Sequence, residues 1–332
     1  MLERFLLLWL ILLSLLAFWW GSWLPGYWNP FISTTPGLKY LFAVTMLAIG
    51  SLLPHDEVRQ VMRRWPLVLA GTALQYTSMP LLAYGFGRLF GLEGAWMTGI
   101  VLVGCVPGAM ASNVLTLIGR GNVSYSVSLT TSSTLLSPLV VPFALWLALR
   151  QSVDFPVGET IWTLCWMVGF PVVLGHLLSR RFAVWHAAAR RAGATIANLV
   201  ILWIIAVVVA GSRDELARLD NRLLLALLAL NVGGYLAGAV GGRLLRLSSP
   251  MRRALILEIG MQNAGLGATL AVELFGKNCA EAIAPAVYAF GCMFTGTVLA
   301  RLWAEFGGPK EPTDPAAPLP DPAILPRAPA DS

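Results

Sequence analysis

Apolar residues along this chain come in long unbroken runs and not in alternation. Stretches without Asp, Glu, Lys or Arg cover residues 5–38, 40–55, 65–87, 94–119, 121–149, 160–179, 192–212, 223–242 and 282–300. A tenth, 254–272, is interrupted by the single charge of Glu258. A spanning helix needs roughly 20 mostly apolar residues, so the pattern predicts ten spans, the second of them short and starting at Lys39. The runs are too long for the strands of a transmembrane barrel and lack their two-residue period. The expected fold class is an all-α membrane protein, with 5–306 as one transmembrane domain. Residues 307–332 are dominated by proline and alanine with no apolar period, which predicts a disordered cytoplasmic tail.

Composition agrees with the pattern. Of 332 residues, 57% are hydrophobic and only 12% charged, too little polar surface to cover a soluble core of this size. The formal charge of +6 is not a nucleic-acid signal, because its distribution follows the spans. If helices alternate sides, 16 Lys and Arg fall on the face shared by both termini and 7 on the other. The positive-inside rule then places both termini in the cytoplasm. Trp19, Trp20, Trp23, Tyr27 and Trp28 would form an interfacial belt at the outer end of the first span. The same Trp-rich exit replaces the small residues of a cleavage site, so the first helix reads as a span and not as a removed signal. Cys105, Cys165, Cys279 and Cys292 show no metal-ligand spacing and imply no disulfide framework. His55, His176 and His186 fall at or near predicted helix ends.

A faint internal repeat organises the ten spans. The third begins near Trp65 and Pro66, the eighth near Arg222 and Leu223. The fourth is interrupted around Val106-Pro107-Gly108-Ala109-Met110-Ala111-Ser112-Asn113, and the ninth around Glu258-Ile259-Gly260-Met261-Gln262-Asn263-Ala264-Gly265. The offsets are about 150 to 157 positions. Five spans per half force opposite orientations, so the repeat is inverted, and matching breaks in two inverted halves point to a transporter's midplane site. Pro107 removes a helical hydrogen bond and clashes with the preceding turn. Gly260, Gly265 and Gly267 surround polar residues in the ninth span. Unwound backbone at this depth is tolerated where it is buried or lines a wet cavity. Its carbonyls can coordinate a cation, and the amides of the new helix starts can face an anion.

Glu258 carries the chemistry. A carboxylate in mid-membrane costs about 2.5–3.5 kcal/mol on insertion scales and normally marks an ion or proton path. Met261, Gln262 and Asn263 follow within a turn. The fifth span holds nine Ser and Thr between Ser124 and Ser137, with Ser126, Thr130, Ser133 and Ser137 on one helix face. For Ser133 and Ser137 small-residue packing is the favoured reading. For Ser126 and Thr130, near the break in the fourth span, cation coordination is as good a reading as packing. Gln75 is a further buried polar side chain in an apolar span. The donors are all hard oxygens, which favours an alkali cation over zinc or copper. No hydrolase or phosphate-loop motif is present, so the chain reads as a transporter and not an enzyme.

The segments GCVPGAMASNVLTLIGRGNVSYSVSLTTSSTLLSPLVVP (104–142) and LEIGMQNAGLGATLA (257–271) closely resemble the two signature regions of the bile acid:sodium symporter family, and the resemblance is collinear over roughly 5–305. It implies a core domain of spans 3–5 and 8–10 that moves against a panel of spans 1, 2, 6 and 7, with spans 4 and 9 crossing at their breaks. It also implies two sodium ions as coupling ions. Carried over by motif, the first would use Ser112, Asn113, Ser126, Thr130 and Glu258, and the second Gln75, Glu258, Met261 and Gln262 with main-chain oxygen from Ile259. The implied function is sodium-coupled symport of an organic anion, a small carboxylate or a bile-acid-like molecule, in a bacterial-type inner membrane, with no required protein partner. Substrate would meet Met110, Ala111, Asn113 and Asn263. Relatives that bind bile acids carry His-Asn where this chain has Cys292-Met293, and Met110 adds to an apolar anion site, so a small carboxylate is the expected substrate. Two other classes remain on sequence alone: a sodium-independent facilitator or channel, and a metalloid exporter of the arsenite type, to which Cys105 would point.

Overall fold

The computed structural model describes residues 5–24, 26–53, 65–149, 156–217 and 219–306. The tail at 307–332 therefore lies outside the described residues, as do His55 and eight of the basic residues used for orientation (Arg4, Arg59, Arg63, Arg64, Arg150, Arg218, Lys310 and Arg327).

The described residues are helical throughout, with no strand. In chain order the helices are α1 (Leu6–Trp23), α2 (Pro30–Thr34), α3 (Leu38–Leu52), α4 (Trp65–Leu89), α5 (Gly94–Cys105), α6 (Ala111–Ile118), α7 (Val123–Leu149), α8 (Val157–Leu164), α9 (Phe170–Arg181), α10 (Ala183–Gly211), α11 (Arg213–Leu216), α12 (Asn221–Leu244), α13 (Ser249–Gly260), α14 (Ala264–Phe275) and α15 (Ile283–Phe306). Among the described residues, seven helical segments are long and apolar enough to cross a membrane: Leu6–Trp23, Pro30–Leu52, Val123–Leu149, Val157–Arg181, Ala183–Gly211, Asn221–Leu244 and Ala280–Phe306. Together with the family assignment made below, these make the chain an integral membrane protein. Helix α4 is 25 residues long, but Thr72, Gln75, Tyr76, Thr77 and Ser78 dilute its apolar character.

Three departures of the helices from the charge-free runs have a clear local reason. The first run, 5–38, holds two elements: α1 ends at Trp23 and a new helix starts at Pro30, ahead of the expected start at Lys39. Asn29 caps that start by accepting from the amides of Phe31 and Ile32, and proline suits a first helical position, where no amide donor is needed. A single 3-10 turn, Thr35–Gly37, joins α2 to α3. Lys39 is thus inside a helix, and its ammonium meets the Glu273 carboxylate of α14 at 3.1 Å. Helices α8 and α9 are one span interrupted by a π-helical turn, Cys165–Gly169, in which the Phe170 amide reaches back to the Cys165 carbonyl. Pro171 follows directly and has no amide to offer the ordinary ladder. The break in the ninth span is narrower than expected. It covers Met261–Asn263, leaving Glu258 inside α13 and Gly265 and Gly267 inside α14.

Two hydrophobic clusters hold the helices together. One gathers Leu10, Phe42, Met46, Leu164, Met167, Val207 and Ala268 from α1, α3, α8–α10 and α14. The other gathers Met79, Ile100, Leu129, Leu230, Leu257 and Tyr288 from α4, α5, α7, α12, α13 and α15. Helices α3 and α9 touch backbone to backbone, because Gly50 and Gly175 leave no room for a side chain against Val172 and Leu47.

Candidate functional site

Both predicted breaks are present, and they meet. Helix α5 stops at Cys105 and α6 starts at Ala111; α13 stops at Gly260 and α14 starts at Ala264. The two extended linkers lie antiparallel, with Gly108 bridged to Gln262. The Ala109 amide donates to the Met261 carbonyl at 2.7 Å, and the Asn263 amide to the Pro107 carbonyl at 2.8 Å. Each break thus supplies hydrogen-bond partners that the other lost when its helix unwound, the condition for irregular backbone at membrane depth.

Glu258 sits against this crossing with 0% of its surface exposed. Its Oε2 accepts from the Ser112 hydroxyl at 2.6 Å and the Thr130 hydroxyl at 2.8 Å. Asn113 Oδ1 accepts from Ser126 at 2.7 Å and Thr130 at 3.3 Å. Helices α6, α7 and α13 therefore bring Ser112, Asn113, Ser126, Thr130 and Glu258 into one network of oxygens, buried except at the half-buried Asn113. Thr116 also joins it, 3.2 Å from the Ser126 hydroxyl. Sequence reasoning passed over Thr116, although it follows Ser112 and Asn113 at helical spacing on the same face. Ser133 and Ser137 behave as packing residues and return their hydroxyls to the Thr130 and Thr134 carbonyls of their own helix.

The other oxygen of the same carboxylate, Oε1, has no such donors. Glu258 Oε1 and Gln262 Oε1 are buried acceptors without a hydrogen-bond donor, and the Gln75 amide nitrogen is buried without an acceptor. Buried polar groups are nearly always satisfied, so an orphaned carboxylate oxygen and an orphaned amide oxygen are the donor chemistry that an added cation would satisfy. Gln262 Nε2 donates to the Ile259 carbonyl at 2.8 Å, and Met261 offers the carbonyl that Ala109 also uses. Gly108 makes the close approach possible: a methyl group on it would overlap Glu258 Oε1.

The residues expected to face substrate are not all brought together. Met110 and Asn113 share a cleft with Ile49, Leu53, Thr130 and Val172, between α3 and α9 on one side and α6 and α7 on the other. Ala111 opens α6 and packs on the second hydrophobic cluster, as Met293 does. Asn263 Oδ1 is occupied in capping α14, accepting from the Leu266 amide at 3.0 Å. Cys292 is buried, its thiol turned to the Ala289 carbonyl of its own helix. Neither Asn263, Cys292 nor Met293 lines the cleft that holds Met110. Among the described residues, no three His, Cys, Asp or Glu group as metal ligands, and Cys105, Cys165, Cys279 and Cys292 are free thiols.

A transporter built on crossed broken helices and oxygen donors is the class these features define, and comparison with known sequences gives its family. The sequence profile described as "Sodium Bile acid symporter family" matches residues 40–219. The chain is 32% identical over 302 residues to the "Uncharacterized sodium-dependent transporter YocS" of Bacillus subtilis (strain 168), covering 90% of each chain. It is 30% identical over 271 residues to the "Probable sodium/metabolite cotransporter BASS1, chloroplastic" of Arabidopsis thaliana, covering 82% of this chain and 67% of the relative. It is 26% identical over 231 residues to the mouse "Sodium/bile acid cotransporter 4", covering 67% of this chain and 52% of the relative. The chain belongs to the Sodium Bile acid symporter family. It is a member of a family of sodium-dependent transporters, not of enzymes, and sodium is the coupling ion that this membership implies.

Proposed function

We propose that this protein is a secondary transporter that couples two sodium ions to the inward movement of one small carboxylate by alternating access. The observation that carries the reading is the fully buried Glu258, whose Oε2 joins a network of hydroxyl oxygens while its Oε1 has no hydrogen-bond donor. The first ion would take Ser112, Asn113, Ser126, Thr130 and Glu258. The second would take Gln75, Glu258, Gln262 and the carbonyls of Ile259 and Met261. Two cations on one carboxylate leave a formal charge of about +1 at membrane depth, which is costly and which a carboxylate substrate cancels. Met110 gives the start of α6 no side-chain cap, and its Ser112 and Asn113 amides turn back to the Ala109 and Met110 carbonyls, so what α6 offers an anion is its positive dipole end and not free amides. Asn263 supplies the side-chain cap at α14.

Ten spans in two inverted halves, with a core of spans 3–5 and 8–10 and a panel of spans 1, 2, 6 and 7, are part of the proposal. Helix α3 supports the alternating movement, because its two ends differ. Near its first turn Lys39 is tied to Glu273; near its last turn Ile49 and Leu53 line the cleft that reaches Met110 and Asn113. The 16-to-7 asymmetry of basic residues supports an orientation with both termini, and that cleft, on the cytoplasmic side; a bacterial-type inner membrane is part of the same proposal. An impermeant thiol reagent should fail to label Ser332→Cys in intact cells; labelling from outside would reverse the orientation.

The substrate reading is tested by thermal stability of the purified protein against a panel of small organic anions, with and without sodium. A transported carboxylate should stabilise the protein more in sodium than in potassium, and sodium should gain in affinity by the same factor, since coupling is reciprocal. An anion that stabilises equally in both salts would argue for uncoupled transport.

A further inference from the structure

The carbonyl of Gly260 is held in a cage that the transport site does not use directly. It ends α13, where helix carbonyls lose their partners. It accepts two hydrogen bonds, from Asn231 Nδ2 of α12 at 2.7 Å and from the Tyr288 hydroxyl of α15 at 2.7 Å. Asn231 and Tyr288 are 2% and 1% exposed. Asn231 is itself fixed, its Oδ1 accepting from the Thr295 hydroxyl at 2.7 Å, with the Tyr235 hydroxyl 3.0 Å from Thr295. The Tyr235 ring closes the cage so tightly that a methyl group on Gly260 would overlap it.

With both lone pairs taken, the Gly260 carbonyl has no capacity left for a cation. Its neighbours on either side, Ile259 and Met261, are the carbonyls assigned above to the second ion. Met261 is extended (φ −116°, ψ 101°), and in extended backbone successive carbonyls point to opposite sides. Pinning Gly260 towards α12 and α15 therefore aims Met261 towards the crossing, where it meets Ala109. We propose that Asn231 and Tyr288 are positioning residues for the second sodium: they fix the peptide plane between its two main-chain ligands. This rests on the two-ion reading above.

Tyr288→Phe tests it, because the ring and its packing stay and only the hydroxyl donor is lost. Thr295→Val is the companion, freeing the Asn231 amide to rotate without changing side-chain shape. Sodium titration of the thermal stability of purified wild type should be cooperative, with a Hill coefficient above 1. In both variants the half-saturating sodium concentration should rise by about tenfold, the loss of roughly one hydrogen bond. The Hill coefficient should fall towards 1, and the stability lost should be clearly larger in sodium than without it. Titrations that superimpose on wild type would overturn the proposal. So would a stability loss equal with and without sodium, which marks a merely structural role. A wild-type titration with a Hill coefficient of 1 would instead defeat the two-ion reading itself.

Discussion

Glu258→Gln is expected to remove nearly all sodium-dependent stabilisation while leaving sodium-free stability equal or higher. A ligand bound only by the folded protein stabilises it by about 2.7 kcal/mol at a hundredfold excess over its Kd. Both proposed ions share this carboxylate, so its loss should abolish that increment and sodium-driven uptake with it. The opposite sign without sodium follows from burial. The carboxylate has 0% exposure, and its insertion costs about 2.5–3.5 kcal/mol. Glutamine relieves that cost, and its amide can still accept from Ser112 and Thr130. Ser126→Ala and Thr130→Ala each remove one neutral donor and should weaken sodium binding by about tenfold. The check is thermal unfolding over a sodium series with potassium held as the counter-salt. A full sodium increment in Glu258→Gln would show that the cations sit elsewhere.

The second large effect should come from the smallest change. Gly108→Ala adds one methyl group where Glu258 Oε1 already lies. The carboxylate cannot retreat without stretching its bonds to Ser112 and Thr130, and the backbone of residue 108 is paired with Gln262 across the crossing. Overpacking of this kind costs about 1–3 kcal/mol. The variant should therefore insert and purify, yet need about five- to a hundredfold more sodium for half-saturation. Measuring sodium-dependent uptake beside the stability titration checks it. A wild-type sodium response would mean that the Gly108 contact does not shape the ion site.

These effects rest partly on residues visible in the sequence and partly on relations that only the fold creates. Pro107 and Gly108 announce a break because proline cannot continue a helix and glycine does not favour one. Glu258 stands out because a single charge in an apolar run has no cheap explanation. What no spacing reveals is that the two breaks pair with one another through Gly108 and Gln262. That contact joins positions far apart in the chain, and their backbone groups carry no sequence signature. Lys39 misled for a related reason. A charge normally closes a span, but here it lies inside one and is neutralised by Glu273 of a distant helix. Asn231 was legible by the argument that singled out Gln75, a lone amide in a charge-free run. Its partners Tyr288 and Thr295 were not, because half-apolar side chains on a spanning helix are common at interfaces with lipid or with other helices. Asn263, expected near substrate, also meets a local demand that spacing does not show: its side-chain oxygen caps the α14 amides.

Reconstitution into proteoliposomes with an inward sodium gradient puts the coupling itself to measurement. Uptake and current would be recorded together for a monovalent small carboxylate selected by the stability screen. Two ions carried with one monoanion should give saturable uptake accompanied by one net positive charge moving inward per substrate, and both signals should vanish when potassium replaces sodium. Uptake that proceeds unchanged in potassium, or that carries no current, would contradict the account.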